Sequence, residues 1–168
     1  MNEYIIGLIR KYRNVGVLLD TNILLLYFVG AVNPRMITSF KRTRNRGFTE
    51  EDYLILVSLL KQFNKAVTTP NILTEVSNFL GQLPDHLHHD YFGIFANGIT
   101  ILDEQYLASS NVSKSYEIQR FGLTDAGRIQ FAKGSFLLLT EDFRLSQYSQ
   151  KAGIDALKFN HIKSAAWQ

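Results

Sequence analysis

The sequence predicts an α/β protein, a single domain whose central parallel β-sheet is flanked by helices on both faces. Short apolar runs recur along the chain, at 16–20, 65–69, 99–103, 135–140 and 155–159. Stretches with apolar residues at helical spacing separate them. Strands that alternate with helices pair in parallel, because each crossover returns the chain to the same end of the sheet. Composition agrees: 168 residues, 46% hydrophobic and 20% charged, suffice for one well-buried core.

Taken in order, residues 3–13 read as a short amphipathic helix ending in Arg10, Lys11 and Arg13. Gly16 leads into a buried strand over 16–20. From Asn22, the residues Ile23, Leu24, Leu26, Tyr27 and Val29 suit a helix packed on the sheet, with Gly30 as its expected stop. Residues 31–48 form a basic, partly irregular connector, punctuated by Asn33-Pro34 and Gly47. Thr49 is a good N-cap, followed by Glu50, Glu51 and Asp52 in a first turn that the helix dipole favours. Thr49…Asp52 has capping-box spacing, and Phe48 and Tyr53 stand at staple spacing. This helix is expected to run to about Asn64.

A second strand spans 65–69. Pro70 suits the first turn of the next helix, whose stripe is Ile72, Leu73, Val76, Phe79 and Leu80, ended by Gly81. Another helix begins near Pro84-Asp85 and is expected to close at Gly98. The third strand follows at 99–103. A serine-rich stretch leads to a helix stopped by Gly122, and Thr124 caps a new helix that begins at Asp125. The fourth strand, 135–140, ends in Glu141-Asp142. A helix over 143–152 has Gly153 at its C′ position, and 155–159 is the last strand.

The formal charge of +3 is mildly basic, which suits a polyanionic partner without requiring one. The lack of cysteine excludes disulfide frameworks, thiolate zinc sites and cysteine nucleophiles. The first ten residues carry neither a basic leader nor a small-residue cleavage site, and no uncharged run reaches transmembrane length. A soluble cytoplasmic protein, with no membrane association, is the expectation.

Chemistry centres on acids. Asp20 breaks an apolar run, where an ionised carboxylate is costly to bury without compensation. Glu75 lies one turn into the helix after the second strand, and Asp142 follows the fourth. Asp125 opens the helix that leads into the fourth strand. In a parallel sheet the carboxyl ends of the strands share one edge, so Asp20, Glu75 and Asp142 should meet there. Carboxylates crowded into one cleft need a cation or shared protons, and hard oxygen donors suit Mg²⁺ or Mn²⁺. Each acid also has a plain structural role open to it. Asp20 and Asp142 can cap the helices that follow them, Asp125 can serve a helix dipole, and Glu75 can be solvated. Glu141 could exchange roles with Asp142.

Leu19-Asp20-Thr21-Asn22, then Thr69-Pro70 followed by Glu75, then Gly122-Leu123-Thr124-Asp125-Ala126, then Leu139-Thr140-Glu141-Asp142 resemble the successive motifs of the PIN-domain nucleases. The resemblance spans roughly residues 15–160, and the ordered set is more specific than any one motif. It implies a PIN-like domain with endoribonuclease activity dependent on Mg²⁺ or Mn²⁺, leaving 5′-phosphate and 3′-hydroxyl ends. Asp20, Glu75, Asp125 and Asp142 would be its catalytic, metal-holding quartet, supported by Thr21, Asn22 and Thr140. The small-chain format is similar to the VapC-like toxins, which implies RNA as substrate, a cognate antitoxin as partner and a homodimer as an available state. Two features depart from that pattern. The helix after Asp125 is bulkier and more basic (Gly127-Arg128-Ile129-Gln130-Phe131) than the Ala-rich segment usual there. The connector at 31–48 is longer than a compact toxin requires.

Arg35, Lys41, Arg42, Arg44 and Arg46 of that connector, and Arg128, are the expected RNA-phosphate contacts, with salt-dependent binding as their signature. An ordinary solvated loop is the other reading of the connector. Two rival functions accompany the nuclease: a non-catalytic RNA-binding PIN-like domain, and another metal-dependent phosphohydrolase. The sequence lacks the Asp-x-Asp strand end of a phosphoaspartate route.

Overall fold

The computed structural model describes residues 3–166, with side chains to residue 164. Helix α1 (Glu3–Tyr12) buries Ile5, Leu8, Ile9 and Tyr12 and delivers the chain to β1 (Val17–Leu19). Then follow α2 (Thr21–Val32), α3 (Met36–Ser39), α4 (Lys41–Arg44), α5 (Glu50–Leu60), β2 (Ala66–Thr68), α6 (Pro70–Leu80), α7 (Asp85–Ile99), β3 (Asp103–Glu104), α8 (Ser109–Val112), α9 (Ile118–Ala132), β4 (Leu137–Thr140), α10 (Phe143–Lys151), β5 (Ala156–Lys158) and α11 (Phe159–Ala166). All strand pairings are parallel, in the order β3-β2-β1-β4-β5. The fold is α/β, with helices flanking the sheet, as the alternating pattern requires. No helix among the described residues is long and apolar enough to cross a membrane.

The central strands explain the uninterrupted apolar runs. Val17, Leu18 and Leu19 of β1 and Leu137, Leu138 and Leu139 of β4 are entirely buried, as expected of strands covered on both faces. The edge strand β3 consists of two polar residues, Asp103 and Glu104, which leaves little apolar edge to recruit another chain.

Several boundaries move from their expected places, each for a physical reason. Gly30 does not stop α2, which continues to Val32, while α7 ends at Ile99, one residue past Gly98. Both glycines are clearances: a Cβ on Gly30 would lie 2.3 Å from the Tyr53 ring, and one on Gly98 would lie 2.2 Å from the Phe28 ring. The connector is more ordered than expected, with α3 and α4 joined at Phe40; buried Thr43 donates to the carbonyls of Ile37 and Phe40. The capping box at α5 is present in both directions, but α5 ends at Leu60. Phe48 sets its ring edge-on against Phe159, while Tyr53 lies against Gly30. The third strand begins at Asp103, since residues up to Ile99 extend α7. At Gly122 the backbone adopts φ 77° and ψ 178°, so α9 is two helical pieces joined at a break, where the sequence places one.

Candidate active site

With strand order β3-β2-β1-β4-β5, the chain winds to one side from β1 and to the other from β4. The boundary between β1 and β4 is the switch point, and the crevice beyond its carboxyl ends is where open α/β sheets bind ligands. Asp20 stands there. Its amide donates to the Leu139 carbonyl at 3.0 Å, extending the β1–β4 pairing by one bond. Its side chain is buried, and both oxygens are engaged. Oδ1 accepts from the Ile23 amide at 2.7 Å, capping α2. Oδ2 accepts from Thr140 Oγ1 at 2.5 Å and from the Glu141 amide at 2.8 Å.

Thr140 ties the second strand end into the same arrangement. Its hydroxyl donates to Asp20 and accepts from the Asp142 amide at 3.0 Å. Asp142 in turn caps α10, Oδ1 accepting from the amides of Arg144 and Leu145 at 2.7 and 3.0 Å. The structural roles available to Asp20 and Asp142 as caps are therefore filled, and they aim both acids at the same crevice.

Glu75 reaches the crevice from α6. Thr21 donates to its Oε2 at 2.6 Å, and Thr124 donates to its Oε1 at 2.7 Å. Thr124 is thus spent on Glu75. The next residue, Asp125, touches the guanidinium of Arg128, three residues on. Asn22 is half-buried in the first turn of α2. Glu141 turns toward α11 and accepts from Asn160 at 2.6 Å. Burial, and after it the neighbouring Asp20, pushes the Glu141 carboxyl above its ordinary value.

Arg128 is the centre of the arrangement. Its side chain is 8% exposed. Burial pushes its pKa down, and attraction to Asp20, Glu75 and Asp142 opposes that; the guanidinium keeps its charge. Arg128 thus touches Asp125 and lies within electrostatic range of Asp20, Glu75 and Asp142. Among the described residues, no group of three or more His, Asp or Glu is spaced to hold a metal ion as it stands. The donors are nonetheless of the right kind. A carboxylate oxygen has two lone-pair sites; the bonds above leave one on Asp20 Oδ1 and one on each Glu75 oxygen. The donor set fits a hard cation in type and not in spacing.

The basic connector lies elsewhere. The 12 residues of α2 carry the chain about 18 Å from Asp20 before the connector begins. Arg35, Lys41, Arg42, Arg44 and Arg46 are exposed there. Arg42 is tied down, donating to Gln82 at 2.8 Å and lying over the Phe79 ring. An apolar groove of 460 Å³ between α1, α5 and α11 has no acid in its lining and no part in the site.

Sequence reasoning did not anticipate Thr124 as a partner of Glu75, and it assigned Arg128 to RNA phosphate, whereas the side chain is buried against Asp125. One signal was available. Arg128 follows Thr124 by four residues and Asp125 by three, so it shares a helical face with each. Comparison with models of known protein families finds no match, and comparison with curated proteins finds none either.

Proposed function

We propose that the protein is a Mg²⁺- or Mn²⁺-dependent endoribonuclease of PIN type, hydrolysing RNA phosphodiester bonds. The observation that carries this reading is the convergence of Asp20, Glu75 and Asp142, with Asp125, at the switch point of a parallel sheet. Their hydroxyl partners Thr21, Thr124 and Thr140 come from three different elements. Asp20, Glu75 and Asp142 would hold the ion, with Asp125 beside them. A divalent metal bound there would acidify a water and stabilise charge on the phosphoryl group. The chain's own part is orientation: Thr140 and the Glu141 amide hold Asp20, and Thr21 and Thr124 hold Glu75. The finer reading, a toxin kept in check by a cognate antitoxin and able to dimerise in the cytoplasm, rests on the sequence resemblance alone.

The test is cleavage of single-stranded RNA with Mg²⁺ or Mn²⁺, abolished by EDTA. Asp20→Asn should cut the rate by more than about 100-fold, the upper end of what losing even an outer-sphere partner costs at a metal site. Undiminished cleavage by a folded Asp20→Asn protein would overturn the assignment. One observation favours the second reading, a non-catalytic RNA-binding domain: Arg128 already supplies a cation to the acids. That reading expects salt-sensitive RNA binding with no metal-dependent cleavage.

A further inference from the structure

The carboxyl edge of the sheet carries exposed aromatic rings as well as acids. In strand order the edge runs from Tyr106, which follows β3, past Glu75 and Asp20, which follow β2 and β1, to Asp142 and Phe143 after β4. The Gln105 amide donates to the Thr68 carbonyl at 2.9 Å, so Tyr106 leaves the β2–β3 pairing at its last bond. Tyr106 lines one recess with Thr69, Pro70 and Thr124, and Thr124 is the residue whose hydroxyl holds Glu75. On the other side, Phe143 is the first residue of α10, directly after Asp142. The Lys158 ammonium, at the end of β5, stands 5.0 Å from the centre of the Phe143 ring. Tyr106 is 77% exposed and Phe143 55%.

One exposed ring needs no explanation. Four aromatic side chains are exposed among the described residues; Tyr4 lies in α1 and Tyr116 precedes α9, while Tyr106 and Phe143 bracket the acids. Three strand spacings, about 14 Å, separate β3 from β4, which puts one ring on each side of Asp20 and Glu75. Ring faces suit flat ligands, and every nucleic-acid base has such a face whatever its identity. Lys158 adds the cation that a strand's phosphates need. In a duplex the bases are already paired and stacked, so it is a single strand that can splay them onto protein rings.

We propose that Tyr106 and Phe143 each stack on a base, so that single-stranded RNA lies along the carboxyl edge with one nucleotide gripped on either side of the acids. This rests on the RNA part of the reading above and not on its metal. Stacking tolerates any sequence, so the two rings select single strands over duplexes and not one base over another.

The test is fluorescence anisotropy of a labelled mixed-sequence RNA, single-stranded or annealed to its complement, with the full-length protein in EDTA so that binding is read without cleavage. The wild type should prefer the single strand. Tyr106→Ala and Phe143→Ala should each weaken single-strand binding by about 5- to 150-fold, the loss that removing one stacked ring brings. Duplex affinity should stay the same, and so should the slope of log affinity against log salt, since neither ring carries charge. Tyr106→Phe and Phe143→Tyr, which keep the ring face, should bind like wild type. Should Phe143→Ala not fold, Phe143→Leu, which keeps apolar bulk without the ring face, is measured in its place and should lose the same affinity. Single-strand affinity unchanged in both ring-removing variants overturns the proposal and leaves the RNA reading standing. An equal loss for single strand and duplex also overturns it. A wild type that binds neither RNA overturns both.

Discussion

At the scale of single residues, carboxylates in this protein do two different things. At the crevice Asp20 and Glu75 are held in place by hydroxyl and amide donors. At Asp155 a carboxylate serves stability: Lys11 donates to it at 2.6 Å and Tyr12 at 2.9 Å, tying α1 to the entrance of β5. The Lys11 ammonium, first among the causes, holds the Asp155 carboxyl below its ordinary value of 3.8. A depressed acid contributes stability that is fully present above its unfolded-state pKa and is lost as pH falls through the folded one. The stability difference between wild type and Asp155→Asn should therefore stay constant from about pH 7 to 5 and shrink steadily below 3.8. Urea denaturation across that range checks it, and a difference that grows toward acid pH would contradict the assignment. Residue identity made the acids legible in the sequence, because an ionised group inside Val17-Leu18-Leu19-Asp20 must have a reason. It did not make their partner legible. Arg128 reads as a contact for RNA phosphate until the fold buries it beside Asp125.

At the scale of elements, two glycines are the instructive cases. A glycine can mark a backbone turn or a place where a neighbour comes close, and the letter is the same. Gly122 and Gly153 have positive φ and break or end their helices, as the sequence pattern expects. Gly30, expected to end α2, lies inside it, and Gly98 lies in the last turn of α7; both admit a neighbouring ring, Tyr53 and Phe28. The distinction depends on what lies across the interface, which no local pattern carries. It yields a contrast within one helix. Gly98→Ala should destabilise by about 1–3 kcal/mol through overpacking. Gly93→Ala in the same α7, with nothing within 4 Å of the added Cβ, should be neutral or stabilising by up to about 1 kcal/mol through helix propensity. Equal effects at the two positions, measured by urea denaturation, would refute the clearance reading. The misplaced start of β3 has a similar origin: Ile99-Thr-Ile-Leu alternates like a strand, but Ile99 completes the last turn of α7.

At the scale of the whole molecule, the question is how a chain with a charge of +3 would meet RNA. Asp20, Glu75, Asp125 and Asp142 stand on the side of the crevice, and five exposed cations, with no acid among them, stand in the connector beyond the far end of α2. Arg42 is already committed to Gln82 and Phe79, which leaves Arg35, Lys41, Arg44 and Arg46 for phosphates. If all four touch single-stranded RNA, changing them to Gln should flatten the dependence of log affinity on log salt by about three units, at about 0.7 per contact. An unchanged slope would return the connector to a solvated loop. Parallel architecture and the edge on which acids gather were legible from alternation alone. Strand order was not, and it is strand order that puts the ends of β1 and β4 side by side.

The two clearances also have a mechanical consequence for α2. Gly30 is a recess on this helix that receives Tyr53, and Phe28 is a projection from it that enters the recess at Gly98. A helix keyed once as lock and once as key cannot turn about its own axis without colliding at both places. Asp20 and Thr21, at its other end, inherit their heading from that double keying, about 12–15 Å away along the axis. The aim of the acids is thus set at a distance, by two hydrogen atoms standing where methyl groups would not fit.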